Sequence, residues 1–151
     1  MNALGIQLIK AFEKCRLKAY KDGGGVWTCG WGATGPGVTS STVWTQAQAD
    51  KRFEDDVNKT EGVVASLIHV QVSSNQLSAL VSFTYNVGAN NFRTSTLLKK
   101  LNKGDYVLAD EFLRWVFDNK VFVQGLMNRR VAEAALFTEN EPLVLRLIAA
   151  H

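Results

Sequence analysis

The sequence predicts an α+β fold of two lobes, a small glycine-rich β region and a larger helical lobe, joined by a long helix with a cleft between them. Three observations predict it. Apolar residues recur at helical spacing from the start of the chain. That period gives way to glycine and β-favouring residues between Ala19 and Thr39, and from Thr45 onward the helical period returns. The expected organisation is one domain over 1–151, with an N-terminal helix and β lobe over about 1–44. A connecting helix over about 45–68 and a helical lobe over about 73–151 complete it.

Residues 3–14 place Leu4, Leu8, Ile9 and Phe12 on one stripe, with Lys10, Glu13 and Lys14 among the polar positions. Between 19 and 39, seven glycines, Pro36 and the run Val26-Trp27-Thr28 indicate short strands joined by tight turns. Asp22-Gly23-Gly24-Gly25 is a turn signal, because glycine accepts positive φ without steric cost. Thr45 with Gln48 is a capping-box pattern that opens the connecting helix, whose buried stripe is Phe53, Val57, Val64 and Leu67, with Gly62 as a weak point. Ser73 with Gln76 repeats the pattern ahead of a helix over 77–87 that Gly88 closes. Helices over 96–102, 105–117 and 126–137 follow, and Pro142 introduces a final apolar segment over 143–150.

Composition narrows the class. The 151 residues are 46% hydrophobic and 21% charged, enough to bury a core and too apolar for disorder. The formal charge of +3 and pI of about 9.0 are a mild basic excess that suits an anionic polymer without identifying one. Cys15 and Cys29 do not combine with His69 and His151 into any zinc-ligand spacing. They read as two small core hydrophobes, with a single disulfide as the alternative in an oxidising compartment. No stretch approaches the roughly 18 apolar residues that span a bilayer, and the N-terminus reads as an amphipathic helix rather than a signal peptide.

Cleaving a glycosidic bond requires an acid to protonate the departing oxygen and a second group to stabilise or attack the sugar cation. Glu13 ends the first helix, Asp22 follows nine residues later, and Thr28 six residues after that, so a helix end feeding a hairpin can bring all three to one wall. Taken singly, each has a plainer reading: a solvated helix glutamate, a turn initiator and an ordinary strand threonine. The segment FEKCRLKAYKDGGGVWTCGWGATG, residues 12–35, resembles the entry motif of the phage lysozymes, the endolysins, where a Glu, an Asp and a Thr stand at these separations. ALVSFTYNVGANNFRTSTLLKKLNKGDY at 79–106 and GLMNRRVAEAALF at 125–137 resemble the helical lobe and closing helix of that family.

The resemblance implies a lysozyme-like fold and hydrolysis of the β-1,4 bond between N-acetylmuramic acid and N-acetylglucosamine in peptidoglycan, with host cell lysis. It makes Glu13 the general acid, held protonated by partial burial. Asp22 becomes the carboxylate that orients water or stabilises positive charge, and Thr28 the hydroxyl that holds that water. A carboxyl separation of roughly 6.5–9.5 Å would indicate inversion and about 5–5.5 Å retention. Arg129 resembles a position facing the catalytic glutamate, and Thr34, Tyr85 and Phe92 resemble positions lining the sugar cleft. For Arg129 the alternative is an exposed helix arginine, and for the two aromatics it is the core. Trp27, Trp31, Trp44 and Trp115 read as core more readily than as stacking platforms. One departure stands in the β region: a His is common in the family after Gly-x-Gly, and here Ala33 follows Gly30-Trp31-Gly32.

Other functions have less behind them. The segment PLVLRLIAAH carries one clear positive charge, Arg146, which is poor for binding a membrane surface. Only the Lys99-Lys100-Leu101-Asn102-Lys103 patch and the modest pI speak for nucleic acid, and no recognised binding motif accompanies them. A lytic transglycosylase needs no second carboxylate, so Asp22 and Thr28 argue for hydrolysis. No cofactor or metal is implied. The expected partner is peptidoglycan, not nucleic acid, with no stable membrane insertion of this chain. The chain is expected to act as a monomer, held in the host cytoplasm before release to the periplasmic wall, with a membrane pore protein, a lost N-terminal anchor and simple cell breakage as the open routes of release.

Overall fold

The computed structural model describes residues 1–151 and divides into two compact units, a smaller one of Glu13–Lys59 and a larger one of Met1–Phe12 with Thr60–His151. The elements in chain order are α1 (Ala3–Glu13), β1 (Arg16–Lys21), β2 (Trp27–Gly30), α2 (Gln46–Leu67), α3 (Ser74–Val87) and α4 (Ala89–Thr94). After them come α5 (Thr96–Asn102), α6 (Ala109–Phe112), β3 (Phe117–Asp118), β4 (Val121–Phe122), α7 (Gln124–Phe137) and α8 (Glu141–Ala150). Helices with two small antiparallel hairpins make this the α+β class that the sequence predicts.

In the smaller unit β1 pairs with β2 in the register Tyr20 to Thr28 and Lys21 to Trp27, with an irregularity between Arg16 and Tyr20. Directly opposed residues project to the same face of a sheet. Tyr20 and Thr28 therefore share one face, and Lys21 and Trp27 the other, where the Lys21 ammonium lies 5.4 Å from the Trp27 ring. That second face is the apolar one: Ala19, Trp27 and Trp44 pack against buried Cys29, Ala33 and Val38. The connecting turn closes through Gly25, which donates to Asp22 O at 3.0 Å and whose φ of 79° suits glycine. Helix α2 begins where the Thr45–Gln48 pattern places it. Thr45 Oγ1 accepts from the Gln48 amide at 3.1 Å and Gln48 Oε1 accepts from the Thr45 amide at 2.9 Å.

The larger unit is built on α3 and α7, which pack against one another, with α8 against α7. Ser73 caps α3 in the predicted reciprocal box with Gln76, and Gly88 closes it at φ 95°. Its core is aromatic: the Phe83 ring meets Phe112 at 5.5 Å and Trp115 at 5.6 Å, both edge-on, and Phe112 lies 5.7 Å from Phe137.

The structure corrects three expectations. Residues 1–12 group with the larger unit rather than with the β lobe. Polar contacts explain it, since the Asn2 amide donates to Ser78 Oγ at 3.0 Å, Asn2 Nδ2 donates to Asn75 Oδ1 at 2.7 Å, and the N-terminal ammonium pairs with Glu61. The helix expected over 105–117 shrinks to α6. Asp105 Oδ1 accepts from the Val107 amide at 2.9 Å, a local bond that competes with helix formation. Beyond α6, Asn119 and Lys120, at φ 48° and 66°, turn the chain so that β3 pairs with β4. The sequence reading also missed α4, a short helix that Ser95 separates from α5 by accepting the Leu98 amide at 3.1 Å.

Candidate active site

Glu13 is the last residue of α1, half-buried, and the chain leaves the helix through Lys14 at φ 56°. Its carboxylate lies against the backbone of Gly32. A Cβ built at Gly32 would overlap Glu13 Oε2 and stand 3.0 Å from Glu13 Cδ, and Gly32 has a φ of 87°. Glycine is needed there twice over, for the close approach and for the backbone conformation.

Asp22 follows β1 at the exposed mouth of the hairpin. Its Oδ1 accepts from the amides of Gly24 at 2.9 Å and Val26 at 2.8 Å, so the carboxylate is pinned by the turn it initiates. The turn role and a catalytic role are thus compatible rather than alternatives. Thr28 is 4% exposed, and its hydroxyl donates to Val26 O at 3.0 Å. With that proton committed, the lone pairs of Oγ1 are left to accept.

Tyr20, opposite Thr28, joins these residues. The Arg16 guanidinium stacks 4.4 Å from its ring centroid. Burial pushes the Tyr20 phenol above its ordinary value, Arg16 draws it back, and the negative charges of Glu13 and Asp22 push it up again. Both carboxylates therefore lie within electrostatic reach of one phenol.

Glu13, Asp22 and Thr28 all belong to the smaller unit, where Thr34 also lies, exposed, with its carbonyl accepting from Arg52 Nη2 at 2.8 Å. Tyr85, Phe92 and Arg129 belong to the larger unit. Tyr85 is half-buried on α3. Phe92 is fully buried, 6.4 Å from Phe83 and edge-on to it, so it offers no surface to a sugar and is a core residue. Arg129 is buried and engaged, its Nε 3.2 Å from Glu133 Oε2 and its Nη2 donating to Ser82 O at 3.0 Å.

Three of the tryptophans are accounted for by packing, Trp27 and Trp44 in the smaller unit and Trp115 on Phe83. Trp31 donates to Asp50 Oδ1 at 2.8 Å and packs near Phe53. Cys15 and Cys29 are free thiols, and burial pushes the Cys29 thiol up. Ala33, at the histidine position of the β region, exchanges backbone bonds of 2.9 and 2.8 Å with Cys29 and buries its methyl group in the apolar cluster.

Tyr20, Gly32 and Glu133 are the residues that sequence reasoning passed over. A signal existed for Tyr20, because strand alternation puts it on the same face as Asp22, two residues on. Glu133 stands three and four residues after Arg130 and Arg129, the spacing of helical ion pairs. Gly32 gave no local signal beyond being a glycine.

The phage lysozyme family model matches residues 10–133. The endolysin of Bacillus phage PZA is 45% identical over 145 residues, covering 94% of this chain and 56% of that protein. The endolysin of Acyrthosiphon pisum secondary endosymbiont phage 1 is 41% identical over 138 residues, covering 88% of this chain and 94% of that one. Among solved structures, the muramidase domain of SpmX from Asticaccaulis excentricus superposes with a TM-score of 0.81 at 30% identity, over 90% of this chain and 95% of that one. The chain thus spans just over half the length of one relative and nearly all of another.

Proposed function

The chain belongs to the phage lysozyme family, and from that premise we propose that it is an endolysin. It hydrolyses the β-1,4 bond between N-acetylmuramic acid and N-acetylglucosamine in bacterial peptidoglycan and so lyses the host cell. The observation that carries this reading is the close approach of the Glu13 carboxylate to Gly32, in the unit whose hairpin presents Asp22 and Thr28.

In this reading Glu13 gives its proton to the oxygen of the leaving sugar as the bond to the anomeric carbon breaks. The oxygen of a water molecule bonds to that carbon, and its proton passes to Asp22 and on to solvent, from which Glu13 is reprotonated. The Thr28 hydroxyl, already donating to Val26 O, accepts a hydrogen bond from the attacking water. Thr34 of the smaller unit and, separately, Tyr85 of the larger unit go with this reading as residues that contact the glycan. Arg129, buried and held by Glu133 and Ser82, is instead a structural cation of the larger unit. Action as a monomer, passage from the host cytoplasm to the periplasmic wall and dependence on a membrane pore protein belong to the same proposal. No helix is long and apolar enough to cross a membrane.

The mass of the products tests the reaction type. Purified peptidoglycan digested with the protein is expected to release muropeptides with a reducing end, each having gained one water across the cleaved bond. Anhydro-sugar products of the same composition would replace hydrolysis by transglycosylation.

A second experiment tests the site. Gly32→Ala places a Cβ where Glu13 Oε2 stands, at a backbone φ that side chains rarely adopt. It is expected to cost about 1–2 kcal/mol of stability. Displacing a catalytic group by around 1 Å is worth about a hundredfold in rate, so lysis by the folded variant should fall by about that factor. Melting curves and a turbidity assay on peptidoglycan check both. A destabilised variant with undiminished lysis would separate Gly32 from catalysis.

A further inference from the structure

We propose that Tyr20 is a positioning residue of the carboxylate pair: from the face it shares with Thr28 and Asp22, its phenol supplies an O–H donor to the charge that develops as Glu13 gives up its proton. The inference rests on the hydrolase reading and adds a residue to it. Three geometric facts support it. Pairing with Thr28 fixes the face on which Tyr20 projects. Strand alternation, prolonged by the 2.9 Å bond from the Asp22 amide to Val26 O, carries Asp22 to the same face. Arg16, stacked 4.4 Å from the ring centroid, holds the ring in place.

The chemistry calls for such a group. When the Glu13 proton moves to the leaving oxygen, a second negative charge appears near Asp22, and like charges at close range disfavour that step. A neutral donor offsets the cost without adding a charge of its own, and a hydrogen bond to an ionised group is about twice as strong as one between neutral groups. Such a contact strengthens as charge develops, so it acts on turnover rather than on substrate affinity. The charged or titratable groups acting on the phenol are Arg16 of β1, Glu13 of α1, Asp22 after β1 and Cys29 of β2. Their net effect with burial is to push the phenol above the ordinary tyrosine value.

The test is kinetic and spectroscopic. Tyr20→Phe keeps the ring beneath Arg16 and removes the hydroxyl alone. On soluble peptidoglycan fragments it is expected to lower kcat by about tenfold to a hundredfold, with KM within about twofold and an unchanged melting midpoint. It should also remove one tyrosinate phase, lying above the ordinary tyrosine range, from an alkaline absorbance titration. Tyr20→Leu should lose the same factor in kcat and lose stability as well. Adding Tyr20→Phe to Glu13→Gln should cost nothing further, because the phenol acts through Glu13. Wild-type kcat in Tyr20→Phe, with loss confined to Tyr20→Leu, would show that the ring serves packing only and would overturn the proposal. Failure of the hydrolase reading looks different, because the wild-type protein itself would then release anhydro-sugar products or no products at all.

Discussion

Glu13→Gln is expected to remain folded and to lose at least about a thousandfold in the rate of peptidoglycan solubilisation, within the range over which a positioned acid contributes to catalysis. The amide matches the carboxyl in shape, so the fit of the side chain against Gly32 is kept. What it lacks is a proton that can be given to a leaving oxygen. Glu13 sits half-buried at the end of α1 and is not a member of the apolar cluster around Cys29. Melting midpoints of the two proteins should therefore agree to within about 2–4 °C, the shift that 1 kcal/mol produces in a chain of this length. Turbidity loss on purified peptidoglycan, with wild type and variant at equal concentration, measures the effect. Lysis by Glu13→Gln at near the wild-type rate would remove the assignment of Glu13 as the acid.

The parts of this fold that were legible in the sequence are those decided by local chemistry. Thr45 with Gln48 and Ser73 with Gln76 open helices because each cap satisfies its own neighbours' amides, whatever the remainder of the chain does. The Asp22 turn was legible for the same reason. Where two local preferences compete, the reading failed. Residues 105–117 carry a helical stripe, yet the Asp105 side chain binds the Val107 amide, and Asn119-Lys120 turns the following residues into a hairpin. The candidate site divides along the same line. Glu13, Asp22 and Thr28 were legible from their spacing and from a family resemblance. Gly32 was not, because its close approach to Glu13 comes from the tertiary path of the chain. Phe92 shows the converse error, since its resemblance to a cleft position carried no information about burial, and it lies in the core. Arg129 and Arg130 were the hardest to foresee: arginine is mostly exposed in folded proteins, and here both are buried.

That pair leads to the largest expected effect on stability. Glu133 has no exposed surface and serves two guanidinium groups at once. Its Oε2 accepts from Ser82 Oγ at 2.5 Å, from Arg129 Nε at 3.2 Å and from Arg130 Nη2 at 3.4 Å. Its Oε1 lies 2.7 Å from Arg130 Nε, an ion pair that lacks the in-line geometry of a hydrogen bond. Arg130 in turn donates to Asn86 Oδ1 at 2.8 Å and lies 5.1 Å from the Phe83 ring, so the cluster ties α7 to α3. Assembling such a group adds little net stability, because desolvating three charges nearly offsets their attraction. Removing the one anion is another matter, since two cations then sit in the core with their carboxylate gone. Glu133→Leu is expected to cost about 3–5 kcal/mol, a fall of roughly 6–20 °C in melting midpoint at about 2–4 °C per kcal/mol. Glu133→Gln, which keeps an acceptor for Ser82 and Arg129, should fall between that variant and wild type. Combining Glu133→Leu with Arg130→Met should recover part of the loss, because it removes one of the two stranded charges along with the anion. Equal destabilisation by the single and double variants would mean that lost packing at position 133, rather than buried charge, sets the cost.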